Sequence, residues 1–111
     1  MGHGTVHAID ESANDSFVEV ARNDSIDVQL GENATTGFRW RVKATGAPVL
    51  ELADDRTAPG PKNRPGASGS RRFRFRAAVP GSATIKLVYA RRVPANAPPA
   101  KAFVLRVRVL P

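Results

Sequence analysis

Apolar residues return at every second position in five separate segments of this chain. Ile26, Val28 and Leu30 alternate with Ser25, Asp27 and Gln29, and Phe38, Trp40 and Val42 alternate with Gly37, Arg39, Arg41 and Lys43. Phe73 and Phe75 alternate with Arg72, Arg74 and Arg76. Ile85, Leu87 and Tyr89 then alternate with Thr84, Lys86 and Val88, and Phe103, Leu105, Val107 and Val109 with Ala102, Val104, Arg106 and Arg108. A period of two belongs to strands, whose successive side chains face opposite ways, so each segment predicts a strand with one buried and one wet face. Weaker strands are expected at 5–9, 17–20 and 49–52. No run of ten residues combines helix caps with a helical stripe. Seven or eight short strands of this kind predict an all-β antiparallel sandwich.

The connections between these strands are unequal. Pro80-Gly81-Ser82 reads as a tight turn and 44–47 as another short link, whereas 53–70 carries three prolines and three glycines and 91–100 carries three prolines. Long loops in a compact domain are usually functional. If successive strands alternate in direction, the connections 31–36, 53–70 and 91–100 all emerge at one end, and the short turns at the other. The long loops then share a single rim, the layout of a binding module on a rigid scaffold.

A chain of 111 residues predicts one domain over 1–111, large enough to bury a core without staples. Cysteine is absent, which excludes disulfides, thiolate metal sites and a cysteine nucleophile. No stretch approaches the length of a membrane-spanning helix. Residues 1–14 lack an apolar core of signal-peptide length, so the protein is expected either to stay inside the cell or to begin after a removed signal. Seventeen Lys and Arg against ten Asp and Glu give a formal charge of +7, which favours acidic partners. Arg39, Arg41, Lys43, Lys86, Arg106 and Arg108 all fall on the outward phase of their strands. If strands 37–43, 83–89 and 101–110 share a sheet, its outer surface is cationic. Nucleic-acid binding would also call for exposed aromatics, and the aromatics of these strands sit on the inward phase. The basic face is therefore expected to speed association with acidic proteins rather than to bind nucleic acid.

The inventory excludes most enzymes. Both histidines, His3 and His7, lie in the first seven residues with no third metal ligand near them. Gly66-Ala67-Ser68-Gly69-Ser70 lacks the spacing of a nucleophile elbow and has no histidine downstream. Asp10-Glu11 and Asp54-Asp55 read as solvated carboxylates. The Asn-x-Ser/Thr triplets at Asn14, Asn23 and Asn33 are of a kind that arises often by chance. Neither enzymatic activity nor a cofactor is expected.

The most informative local segment is Asn33-Ala34-Thr35-Thr36-Gly37-Phe38. A turn-forming Asn, two stiff β-branched residues and a glycine that permits positive φ make a protruding, pre-set loop between two strands. Taken alone it is equally an ordinary turn. Farther on stand Gly66-Ala67-Ser68-Gly69, ahead of a strand with Phe73 and Phe75, and Tyr89-Ala90-Arg91-Arg92-Val93-Pro94. In order, spacing and strand context these segments resemble the chagasin-type inhibitors of papain-like cysteine proteases. That family combines an Asn-Pro-Thr-Thr-Gly-aromatic loop, a glycine-rich loop and an Arg-Pro-Trp segment. Ala34 replaces the usual proline, and only Arg91 is kept from the third motif.

The resemblance implies an immunoglobulin-like sandwich and a monomer whose partner is a papain-like cysteine protease. Asn33, Ala34, Thr35, Thr36, Gly37 and Phe38 would enter the active-site cleft, with Thr35, Thr36 and Gly37 covering the thiolate. Gly66, Ala67, Ser68 and Gly69 would brace one side, and Arg91, Arg92, Val93 and Pro94 the other. Inhibition would be reversible and competitive. Losing the proline at Ala34 loosens the loop by roughly 0.4–1 kcal/mol, and Val93 in place of an aromatic removes a contact often worth about 2 kcal/mol. The missing tryptophan keeps a second reading open, an adhesion or ligand-binding module that retains the fold without inhibiting.

Overall fold

In a computed structural model of the chain, the structure describes residues 4–33, 36–58, 69–91, 93–94 and 97–111. Eight strands are present: β1 (Val6–Ile9), β2 (Ser16–Ala21), β3 (Ser25–Glu32), β4 (Phe38–Ala44), β5 (Leu50–Ala58), β6 (Gly69–Ala77), β7 (Gly81–Arg91) and β8 (Lys101–Leu110). One 3-10 turn, Glu11–Ala13, joins β1 to β2 and is capped by the Asp10 side chain. The strands form two four-stranded sheets, ordered β1-β3-β6-β5 and β2-β8-β7-β4. Pairing is antiparallel throughout the centre of both sheets, while β1 runs parallel to β3 and β2 parallel to β8. The N-terminal segment thus serves as an edge strand of each sheet in turn.

The alternating residues form the layer between the sheets. Ile26, Val28, Leu30, Phe73, Phe75 and Leu50 of one sheet meet Trp40, Ile85, Leu87, Phe103, Leu105 and Val107 of the other, each at most 2% exposed. Such burial is the main favourable term for a chain without cross-links, and truncating one core aromatic costs about 3–5 kcal/mol.

Hydrogen-bond directions make all eight strands alternate. Asn33 N–H donates to the Tyr89 hydroxyl and the Trp40 indole N–H donates to Gly31 C=O, so the ends of β3 and β7 and the start of β4 share one pole. Asn23 N–H donating to Ala77 C=O and Ala78 N–H to Val49 C=O mark the opposite pole. The strand ends that bound 33–37, 59–68 and 92–100 therefore share one pole, as the alternation of sequence segments predicts, and the 3-10 turn joins them.

Several boundaries differ from the sequence expectation. The 53–70 connection shrinks to 59–68, because β5 continues from Leu50 to Ala58 and β6 begins at Gly69. Beyond Leu50 every residue of β5 but Asp54 is exposed, and a register shift between Leu52 and Asp54 breaks the alternation, so no apolar phase signals the strand. Pro80-Gly81-Ser82 is likewise not the turn: Gly81 and Ser82 already belong to β7, and the turn occupies 78–80. Arg91 closes β7 instead of opening a loop.

Among the described residues two carboxylates are buried, one at each pole: Asp24, 6% exposed, and Glu32, 3% exposed. Asp24 accepts from Thr5 N–H at 2.9 Å and Ala21 N–H at 3.0 Å, with His7 Nε2 at 2.8 Å, which ties β1 to the β2–β3 turn. The His7 contact, aided by those N–H groups, holds the Asp24 carboxyl below the ordinary carboxylate range despite burial. On the outer face of the first sheet Asp27 takes two bonds from Arg74 at 2.8 Å and one ion pair from Arg72 at 2.9 Å, and its carboxyl is lowered too, chiefly by Arg74. A lowered folded-state pKa contributes stability that is present above the unfolded value and lost as pH falls through the folded one. Thermal midpoints should therefore hold steady down to the ordinary value of 3.8 and fall below it. Asp27→Asn should lower the midpoint at neutral pH and flatten that acid decline. Melting curves of both proteins across the acid range provide the check.

Candidate functional site

The rim of loops is built from its base upward. Asn33 follows β3, half-buried, with its N–H on the Tyr89 hydroxyl at 3.1 Å. Its carbonyl accepts from Thr36 N–H at 3.2 Å and from the Thr36 hydroxyl at 2.7 Å. Gly37 has φ +82° with open space around the position of a Cβ, so it is the backbone, and not a neighbour, that demands glycine. Phe38 then opens β4 and stacks on Tyr89 with centroids 5.4 Å apart. The Arg91 guanidinium lies 4.9 Å from the Phe38 ring centroid, a cation–π contact from the last residue of β7. Trp40 packs on Tyr89 at 5.0 Å.

Beneath the aromatics lies a polar pin. Glu32 accepts the Trp40 backbone N–H at 2.8 Å and pairs with Arg71 at 3.2 Å. Because β4 is an edge strand, that N–H has no strand partner on its open side, and the carboxylate takes its place. Arg71 also binds Asp55, with Nη2 to Oδ2 at 2.9 Å, and lies 5.1 Å from the Phe73 ring centroid. Asp55, with smaller help from Glu32, raises the proton affinity of Arg71 further. Asp54 pairs with Arg56 at 2.7 Å, so the two adjacent carboxylates, read as solvated, are both engaged in the β5 edge.

These residues flank the loops in pairs. Glu32 and Trp40 bracket 33–37, Asp55 and Arg71 bracket 59–68, and Tyr89 and Lys101 bracket 92–100. Lys101 Nζ lies 5.1 Å from the Tyr89 ring centroid and reaches Glu11 at 3.9 Å, while Glu11 accepts Gly31 N–H at 2.9 Å. The three connections thus stand on one interlocked base.

Of the residues singled out in the sequence, Asn33, Thr36, Gly37 and Phe38 form the first turn. Gly69 opens β6 opposite Glu32. Arg91 meets Phe38, and Val93, 78% exposed, and Pro94 stand on the third connection. Ala34, Thr35, Gly66, Ala67, Ser68 and Arg92 lie outside the described residues. Glu32 and Arg71 are not singled out in the sequence and Asp55 is read there only as a solvated carboxylate, although the first two carry a signal. Glu32 continues the inward phase of 26, 28 and 30, and Arg71 the inward phase of 73 and 75, as single charges in apolar series. Asparagines of the Asn-x-Ser/Thr triplets also have structural work. Asn14 Oδ1 accepts Val104 N–H at 2.8 Å, and Asn23, at φ +75°, accepts from Arg76 at 2.9 Å.

The arrangement gathers the strand ends that carry the three connections on one braced base, a layout suited to presenting loops to a partner. Comparison with known proteins decides the family. Residues 19–107 match the model of the chagasin family of peptidase inhibitors, I42. The chain belongs to that family. Amoebiasin-2 of Entamoeba histolytica is 26% identical over 91 residues, covering 80% of this chain and 73% of that protein. The crystal structure of a cysteine protease inhibitor from Entamoeba histolytica shares the fold with a TM-score of 0.86 at 24% identity, covering 99% of this chain and all of that one. PbICP-C, solved in complex with falcipain-2, shares it with a TM-score of 0.68 at 14% identity, covering 99% of this chain and 96% of that one. The all-β sandwich is thus that of the chagasin inhibitors, as the sequence motifs imply.

Proposed function

We propose that this chain, acting as a single monomeric inhibitor domain over 1–111, is a reversible, competitive inhibitor of papain-like cysteine proteases. The observation that carries the reading is the turn at 33–38, held by the Tyr89 hydroxyl, the Phe38–Tyr89 stack and the Glu32–Arg71 pin in a chain of the chagasin family. The segment Asn33 to Phe38 enters the active-site cleft, where Thr35, Thr36 and Gly37 cover the thiolate without offering a carbonyl in attack geometry. Gly66, Ala67, Ser68 and Gly69 brace one wall, and Arg91, Arg92, Val93 and Pro94 the other. A base assembled before docking limits the order that must be imposed on binding, and this favours affinity.

The test is titration of papain and a cathepsin L-type enzyme with the purified protein. Inhibition should be relieved by excess substrate and by dilution, with no adduct by mass spectrometry and no effect on a trypsin-like serine protease. Absence of inhibition at micromolar protein would favour an adhesion or ligand-binding module instead.

A further inference from the structure

The two outer faces of the sandwich treat their cations in opposite ways. On the first sheet each outward arginine of β5 and β6 has a carboxylate: Arg56 with Asp54, Arg72 and Arg74 with Asp27, and Arg76 with Glu51. On the second sheet Arg39, Arg41, Lys43, Lys86, Arg106 and Arg108 are all exposed, and among the described residues none lies within ion-pair distance of a carboxylate. Arg106 reaches only the Asp15 carbonyl, at 3.3 Å. Glu19 stands across from Arg108 in the register without pairing to it.

The register strings these six into a line. Arg39, Arg41 and Lys43 descend β4, Lys86 follows on β7 opposite Ala44, and Arg106 and Arg108 continue on β8 opposite Thr84 and Ser82. Along a strand such side chains are roughly 6.6 Å apart, and neighbouring strands roughly 4.8 Å. The track runs diagonally from the loop pole to the opposite pole. Like charges gathered on a sheet surface destabilise it. The first sheet shows that this chain balances such rows elsewhere, so the uncompensated row points to an external anion.

We infer that the outer face of β4, β7 and β8 is a docking track for a linear sulfated polysaccharide. A single flexible chain carrying regularly spaced anions can follow a one-residue-wide diagonal. A duplex is read by an element that enters its groove, and among the described residues no helix or ribbon projects from this face. Single-stranded nucleic acid needs a series of stacking platforms, whereas β4, β7 and β8 turn no aromatic outward and a single exposed ring, Phe17 of β2, stands opposite Arg106. The face looks sideways from the loops, so a protease seated on the rim leaves it open. On the reading proposed above, the inhibitor carries its protease onto the polyanion.

Heparin serves as the probe, by titration at about 0.15 M salt and by elution from immobilised heparin. The triple variant Arg41→Ser, Lys86→Ser, Arg106→Ser should bind about tenfold or more weakly, the scale of three surface ion pairs. The control triple Arg22→Ser, Arg56→Ser, Arg76→Ser removes the same charge elsewhere and should bind like the parent. Heparin at saturation should leave the inhibition constant for papain unchanged. Equal weakening by both triples, relief of inhibition by heparin, or tighter binding to duplex DNA or to phosphatidylserine vesicles would each overturn the inference. A protein that binds heparin through the track yet never inhibits papain would defeat the inhibitor reading alone.

Discussion

Gly37→Val should weaken inhibition of a papain-like protease by roughly 5- to 150-fold while leaving the protein folded. At φ +82° a β-branched residue is strained by about 1–3 kcal/mol, which corresponds to that range in an equilibrium constant. The added side chain itself meets nothing within 4 Å, so the core has no reason to respond. The loop relieves the strain by leaving its conformation, which loosens the Thr36 contacts to Asn33 and the entry of Phe38 into β4. Inhibition constants and melting curves for parent and variant separate these effects. A folded Gly37→Val protein that inhibits as well as the parent would show that 33–38 is not the wedge.

Arg71→Ala should be the most destabilising single change at the loop base, by about 3 kcal/mol, or a fall of roughly 10–20 °C in thermal midpoint. Glu32 is buried, one of its oxygens has no hydrogen-bond partner, and Arg71 is the cation that compensates it. Removing that cation strands a charge in the layer between the sheets. The lower end of the range for broken buried pairs applies because the Arg71 side chain is itself 16% exposed. The double variant Glu32→Gln, Arg71→Leu should recover most of the loss, since the amide still accepts the Trp40 N–H and no charge remains. Denaturation of parent, both single variants and the double variant gives the coupling directly. A loss under about 1 kcal/mol for Arg71→Ala would reduce the pin to a surface ion pair.

Strand identity in the centre of both sheets was legible because burial there is one-sided. Where one face meets a core and the other meets water, composition must alternate, and 26–30, 73–75, 85–89 and 103–109 display it. Of the edge strands, β4 still alternates because Trp40 packs in the core, whereas β1, β2 and β5 escape this logic. Beyond Leu52, β5 lies at the margin of its sheet with no alternating apolar phase, so 53–58 reads as loop although 49–52 reads as a strand. The parallel placement of β1 and β2 was hidden for a related reason. Four to six residues with half-buried patterns do not say which sheet edge they join.

The same division runs through the site. The turn chemistry at Asn33 and Gly37 is local: an amide near the chain reversal and a missing Cβ do their work within a few residues, so sequence alone located the loop. The cationic outward phase was equally plain, because parity fixes which side chains share a face. Tertiary structure alone decided which charges are answered. Arg71 and Asp55 are sixteen positions apart and Arg71 and Glu32 thirty-nine, and only sheet register brings them together. Register likewise gave Arg72, Arg74 and Arg76 their carboxylates, while among the described residues the row from Arg39 to Arg108 makes no ion pair, even where Glu19 stands opposite Arg108. Local backbone preference is written in neighbouring residues, whereas electrostatic compensation depends on distances that the chain acquires only by folding.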